Sequence, residues 1–206
     1  SARQSVLIDN CVNDGRIVNN TAYAGGFIGR IYQSQNREVI ITNSINKGTI
    51  TSLTSSGGFI GGIVDDLNKK TTENIRVTFF LNSSSSGNVT SLNINAGGFV
   101  GKIGILKSVT MGFSDCVHSG VVSGKSQLGG FIGSFDQIPS AVLTLTKCVN
   151  SGNITGSDTD SGNVAGGFVG CISNNNLNMT ISDCVQNGSI TGRSFSGGLV
   201  GRITSS

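Results

Sequence analysis

Apolar positions recur along this chain in two linked blocks, and the pair of blocks occurs six times. One block is Gly-Gly-[Phe/Leu]-[Ile/Val]-Gly. It starts at Gly25, Gly57, Gly97, Gly129, Gly166 and Gly197, in steps of 32, 40, 32, 37 and 31 residues. The other lies upstream and reads Cys11-Val12-Asn13-Asp14-Gly15-Arg16-Ile17 in its first copy. Later copies fill 44–50, 83–89, 116–122, 148–154 and 184–190. An alternating run precedes each block, as in Val39-Ile40-Ile41 and Val142-Leu143-Thr144-Leu145. Such self-similarity marks a repeat architecture. Glycine is too frequent for helices and no segment keeps a 3.6-residue period, so each repeat reads as short strands between turns. A unit of about 32 residues made of strands cannot bury its own apolar face, whereas stacked copies can. The pattern predicts an all-β parallel β-helix, or β-solenoid, of six coils with three short strands per coil. It forms one domain over 1–206, with repeats near 1–31, 32–63, 64–103, 104–135, 136–172 and 173–206. Six coils at about 4.8 Å each make a core roughly 29 Å long.

Aligning the repeats gives vertical columns. Phe27, Phe59, Phe99, Phe131, Phe168 and Leu199 share one position and predict a stacked aromatic core. Ile17, Ile50, Val89, Val122, Ile154 and Ile190 form a second apolar column, and Ile31, Ile63, Ile103, Phe135, Ile172 and Ile203 a third. Asn13, Asn46, Ser85, His118, Asn150 and Gln186 form a turn column, suited to side-chain hydrogen bonds from coil to coil. Two residues later comes a fixed glycine (15, 48, 87, 120, 152, 188), which reads as a turn needing positive φ. One column breaks the alternation. Ile28, Ile60, Val100, Ile132, Val169 and Val200 have the parity of an outward face yet stay apolar. Either the neighbouring glycines bend the strand, or loops or a partner surface cover the ladder, which makes it a candidate interface.

Composition adds exclusions. Gly is 31 of 206 residues, Pro 1, Trp absent and charged residues 12%. That balance excludes a helical bundle and a collagen. A net charge of +3 with no basic run gives no nucleic-acid footprint. No apolar stretch reaches the roughly 20 residues of a membrane helix. Extra residues collect in two insertions, one carrying Asp65, Asp66, Lys69 and Lys70, the other Asp158 and Asp160.

Gly197-Gly198-Leu199-Val200-Gly201 and its Phe variants, with Asp183-Cys184-Val185-Gln186-Asn187-Gly188-Ser189-Ile190-Thr191-Gly192 before them, resemble the GLUG-motif repeats of bacterial and protist surface proteins. The resemblance covers all six repeats. It implies an extracellular or cell-surface location and a role as stalk, spacer or adhesive surface.

The chemistry-bearing residues are sparse. His118 is the only histidine and reads as a solvated turn residue rather than a catalytic base. Cys11, Cys116, Cys148 and Cys184 share a column along the rod with Ser44 and Ser83, so they cannot surround one zinc ion and read as free stacked thiols. Cys171 stands at the position of Arg30, Gly62, Lys102, Ser134 and Arg202 and is expected to face outward. Asp65–Asp66 is the sole adjacent acid pair, and Asp115 and Asp183 sit two repeats apart, a poor basis for paired-carboxylate catalysis. Asp158 and Asp160 have the spacing that opens a calcium loop but lack its later glutamate. Thr51, Thr90, Thr155 and Thr191 stack without the regular Thr-x-Thr of an ice-binding array. Six glycosylation sequons begin at Asn19, Asn82, Asn88, Asn153, Asn178 and Asn187. Tyr23 and Tyr32 are the expected exposed aromatic platforms.

The expectation is therefore a non-enzymatic structural or adhesive segment with no cofactor. Its partners are adjacent repeats or other copies stacked end to end, with surface glycans or host proteins as further candidates. The alternative is a carbohydrate-binding β-helix, with or without polysaccharide-processing activity, working from a groove beside one of the insertions. The chain opens on a core strand at Val6-Leu7-Ile8 and closes soon after the core position Ile203, which suggests a longer array or end-to-end stacking.

Overall fold

The computed structural model describes residues 4–32, 37–64, 75–157, 162–174 and 176–204. The first insertion, with Asp65, Asp66, Lys69 and Lys70, and the calcium candidates Asp158 and Asp160 lie outside the described residues.

The chain is a parallel β-solenoid. Each coil supplies five strands, not three; in the third they are Ile75–Leu81, Ser84–Ser85, Val89–Ser91, Asn95–Gly97 and Val100–Gly104. Equivalent strands pair in parallel from coil to coil, giving five six-stranded sheets, called here the first to the fifth in chain order. Two local events raise the strand number. The Cys-Val-Asn segment turns a corner and forms its own two-residue strand, and the Gly-Gly bend cuts the expected third strand in two.

The corner before each Cys or Ser is made by a non-glycine residue in the left-handed region: Asn10, Asn43, Asn82, Asp115, Lys147 and Asp183, with φ between 47° and 54°. Asn and Asp tolerate this region better than other side chains. The fixed glycines at 15, 48, 87, 120, 152 and 188 are not in it. From the second coil on, space is what selects them. A Cβ on Gly87 would stand 2.7 Å from the carbonyl carbon of Gly48 and 2.8 Å from Lys47 O.

The Cys/Ser column then locks the corner. Ser44 Oγ donates to Thr42 O at 2.8 Å and accepts from Cys11 N of the coil before at 3.2 Å. Ser83 repeats both bonds, to Leu81 O and from Ser44 N. Cys148 Sγ donates to Thr146 O, and Cys148 N donates to Cys184 Sγ at 3.4 Å. A hydroxyl and a thiol perform the same task here, which is why both occupy the column.

Two apolar cores run the length of the rod. The larger lies between the first and fifth sheets, where Phe27, Phe59, Phe99, Phe131 and Phe168 stack with centroids 4.7–5.0 Å apart. A second stack, Phe80 on Phe113 at 4.7 Å, meets the first edge-on, with Phe80–Phe99 centroids 5.4 Å apart. Phe59, Phe99, Phe131 and Phe168 are fully buried, whereas Phe27 is half-buried and Leu199 is 45% exposed, because each belongs to an end coil. The smaller core joins Ile50, Val89, Val122 and Ile154 of the third sheet to Ala24, Ala96, Leu128 and Ala165 of the fourth.

The candidate interface column is not a surface. Ile60, Val100, Ile132 and Val169 are fully buried in the larger core, and Ile28 and Val200 of the end coils pack against it. The strand ladder pairs residues on both sides of Gly61 but skips Gly61 itself, so Ile60 and Ile63 both point inward. A Cβ on Gly61 would stand 2.7 Å from Ala24 N, so the glycine lets the fourth and fifth sheets pack backbone to backbone.

Candidate functional site

His118 is buried, not solvated. Its column forms a ladder inside the rod. Asn13 Nδ2 donates to Asn46 Oδ1 and Asn150 Nδ2 to Gln186 Oε1, both at 2.7 Å. Asn46 and Gln186 also donate to the carbonyls of Gly48 and Gly188. The ladder breaks at Ser85 and His118, whose Oγ, Nδ1 and Nε2 are buried without hydrogen-bond partners. Gly98 gives the imidazole its space, since a Cβ there would stand 2.6 Å from His118 Cγ. Burial pushes the His118 pKa down to about 4, against weaker opposing effects from main-chain groups of Ser85 and Gly120. The ring is neutral at physiological pH and sealed from any substrate.

The cysteines are free thiols. Cys116 and Cys148 are buried, Cys184 is half-buried and Cys11 is exposed. The Cys148 thiol is pushed strongly up by its hydrogen bond with Cys116 and by burial, and the Cys184 thiol is raised by burial. Cys171 does not face outward; it is fully buried, and burial raises its pKa while Arg202 opposes the shift.

Cys171 lies where charged and polar side chains converge on a depression. The position that varies after the Gly-Gly-Phe motif aligns Arg30, Gly62, Lys102, Ser134, Cys171 and Arg202 along the fifth sheet. Beside its last four coils is a groove of about 260 Å³, lined by Lys102, Gln127, Asp136, Gln137, Cys171 and Arg202, with Ile105 and Ser173 completing it. Lys102 Nζ pairs with Asp136 Oδ2 at 3.2 Å, and Ser134 Oγ donates to the same oxygen at 3.2 Å. The Arg202 guanidinium rests 5.5 Å from the Phe195 ring centroid, and its Nε is buried without a hydrogen-bond partner. Ile105, Gln127 and Gln137 have φ of 58°, 50° and 49°. Non-glycine residues held in that region store strain that gathers at functional sites.

At the other end of the rod Arg30 covers the two tyrosines, with its Cζ 5.0 Å from the Tyr23 centroid and 4.5 Å from that of Tyr32. Tyr32 is exposed and Tyr23 half-buried, so Arg30 occupies a face that an aromatic platform would offer. Among the sequon residues, Asn82, Asn88, Asn153, Asn178 and Asn187 are exposed and Asn19 is half-buried. Asn19 Oδ1 closes a local turn with Thr21 N and Ala22 N, and Asn88 and Asn153 accept from Val121 N and Ser189 N of the next coil. The Thr column is in register: Val18, Thr51, Thr90, Ser123, Thr155 and Thr191.

Sequence reasoning marked Cys171 as individual but missed the groove. Its signals were the charged residues at one variable position, Lys102 and Arg202, and the lone Asp136 two positions beyond Ser134. No protein family, no curated protein and no solved structure matches the chain.

Proposed function

We propose that this chain is a non-enzymatic stacking segment of an extracellular, cell-surface protein, structural or adhesive in role. The observation that carries the reading is the ladder that joins every coil to the next in one register. The main-chain ladder along the Phe column is directional: Phe27 N donates to Phe59 O, Phe59 N to Phe99 O, and so on to Phe168 N and Leu199 O. Leu199 N is left without a partner among the described residues, as is Phe27 O. The side-chain ladder runs the same way, from Asn13 to Asn46 and from Asn150 to Gln186. Apolar core positions are less covered in the end coils, with Ile8, Ile17 and Phe27 half-buried in coil one, and Ile203 66% and Leu199 45% exposed in coil six. Open strand edges of this kind template further pairing. A further coil, from the same polypeptide or from a second copy, would continue the Phe-column and side-chain ladders in an unchanged register.

The GLUG-like repeats support the surface location and the structural or adhesive role. The sealed His118 ring and the raised Cys171 thiol support binding or support over catalysis, because neither offers an activated base or nucleophile. Sedimentation velocity over a concentration series tests the reading. The chain is expected to form rods that lengthen with concentration, and a double substitution at the coil-six end, Leu199→Lys with Ile203→Lys, is expected to return it to a folded monomer. A wild-type monomer at millimolar concentration contradicts it.

A further inference from the structure

We infer that the groove beside Arg202 binds a small hydroxylated monocarboxylate, the class to which a terminal uronic acid of an acidic glycan belongs. This gives the alternative carbohydrate-binding reading a ligand class. It rests on the groove, and because Arg202 belongs to coil six it is tested on the unstacked chain.

The charge count comes first. Three charged side chains line the groove, Lys102, Asp136 and Arg202. Lys102 and Asp136 neutralise each other at 3.2 Å. Arg202 has no carboxylate within ion-pair distance among the described residues, so the groove carries one uncompensated positive charge. Its Nε is withdrawn from water without an acceptor, which leaves a desolvation cost that a bound anion would remove. The guanidinium is planar and held against Phe195, and its fork of N–H donors matches the two oxygens of a carboxylate.

The other groups narrow the class. Asp136 stands on the opposite side of the charge balance and disfavours a second negative charge, which selects a monoanion over sulfate or a phosphate dianion. Gln127, Gln137 and Ser173 offer neutral donors and acceptors of the kind that sugar hydroxyls need, and Ile105 supplies an apolar wall. A volume of about 260 Å³ lies below the roughly 300–1,000 Å³ of pockets that enclose drug-sized molecules, so the groove takes one ring. The left-handed backbone at Ile105, Gln127 and Gln137 fixes three of the lining residues before any ligand arrives. The raised Cys171 thiol is protonated beside Arg202 and does not compete for the charge.

The experiment is a nuclear magnetic resonance titration of the ¹⁵N-labelled chain, dilute enough to be monomeric, with D-glucuronate, D-glucose and sulfate. Glucuronate is expected to shift the Arg202 Nε–Hε resonance and the side-chain amides of Gln127 and Gln137, saturating at millimolar concentration. Glucose and sulfate are expected to leave them in place. Arg202→Gln is expected to weaken binding at least tenfold, and Lys47→Gln, an exposed site ion-paired with Asp14, to leave it unchanged. If Arg202→Gln fails to fold, the wild-type titration decides. Absence of a saturable shift, an equal response to sulfate or glucose, or wild-type binding by a folded Arg202→Gln chain overturns the proposal.

Discussion

His118 stands one coil before Asn150 in the ladder column, yet neither ring nitrogen hydrogen-bonds to it, although Asn150 itself donates to Gln186 at 2.7 Å. The ladder is therefore two short segments with an unsatisfied gap. His118→Asn restores a side chain that can bond as Asn13 does to Asn46. A buried hydrogen bond contributes about 1 kcal/mol net. In a chain of this size that corresponds to a rise of roughly 2–4 °C in the unfolding midpoint. A lower midpoint in a thermal melt would show that the imidazole's packing outweighs the missing bonds.

The same residue gives the stability a pH dependence. The unfolded His118 titrates near 6.5 and the folded one near 4. Between these values the unfolded chain binds more protons, so stability rises with pH. The contribution is fully present above about pH 6.5 and is lost as pH falls toward 4, a total of about 3 kcal/mol. Urea midpoints measured across that window should fall on acidification in the wild type and much less in His118→Asn. Parallel curves would mean that the ring is protonated or exposed in the folded state.

Phe99 lies in the middle of the longer aromatic stack, touching Phe59, Phe131, Phe80 and Phe113. Phe99→Ala should cost about 3–5 kcal/mol in chemical denaturation, as large core truncations do. Leu199→Ala at the open end should cost much less. Equal effects would contradict the stack's continuity.

The Cys/Ser column predicts chemical silence. Cys116→Ser should change stability by less than about 1 kcal/mol, because Ser44 and Ser83 already make the same two bonds in this column. In the native chain a thiol-alkylating reagent should modify Cys11 first, and Cys116, Cys148 and Cys171 only after unfolding, as mass mapping would read. Rapid native alkylation of Cys171 would place it outside the core.

The coil count and the Phe column were legible because they are periodic, and periodicity survives without knowing where a strand bends. The split at Gly25-Gly26 and the skipped pair at Gly61 were not, since a glycine in sequence does not say whether it serves φ or space. The fixed glycines were assigned to φ, and the structure assigns them to close approach, with Asn43 and its equivalents taking the left-handed corner. The Phe80–Phe113 stack was hidden by a bulge. One extra residue in Ile75–Leu81 shifts its register against both neighbours and leaves Phe79 outside at φ 50°. The burial of His118 was hidden because its column is polar, and polar columns usually mean solvent. The groove was out of reach, because Lys102, Asp136 and Arg202 come from three different coils and only the pairing of those coils in the fifth sheet brings them to one place.

Residue-resolved amide exchange at rising protein concentration tests the stacking account most directly. The N–H groups of Phe59, Phe99 and Phe131 should be protected at every concentration, since each donates within the rod. The Leu199 N–H, which has no partner among the described residues, should exchange fast when dilute and become protected as the chain concentrates. A Leu199 amide that exchanges fast at all concentrations, while the central amides stay protected, would establish the solenoid and contradict its stacking.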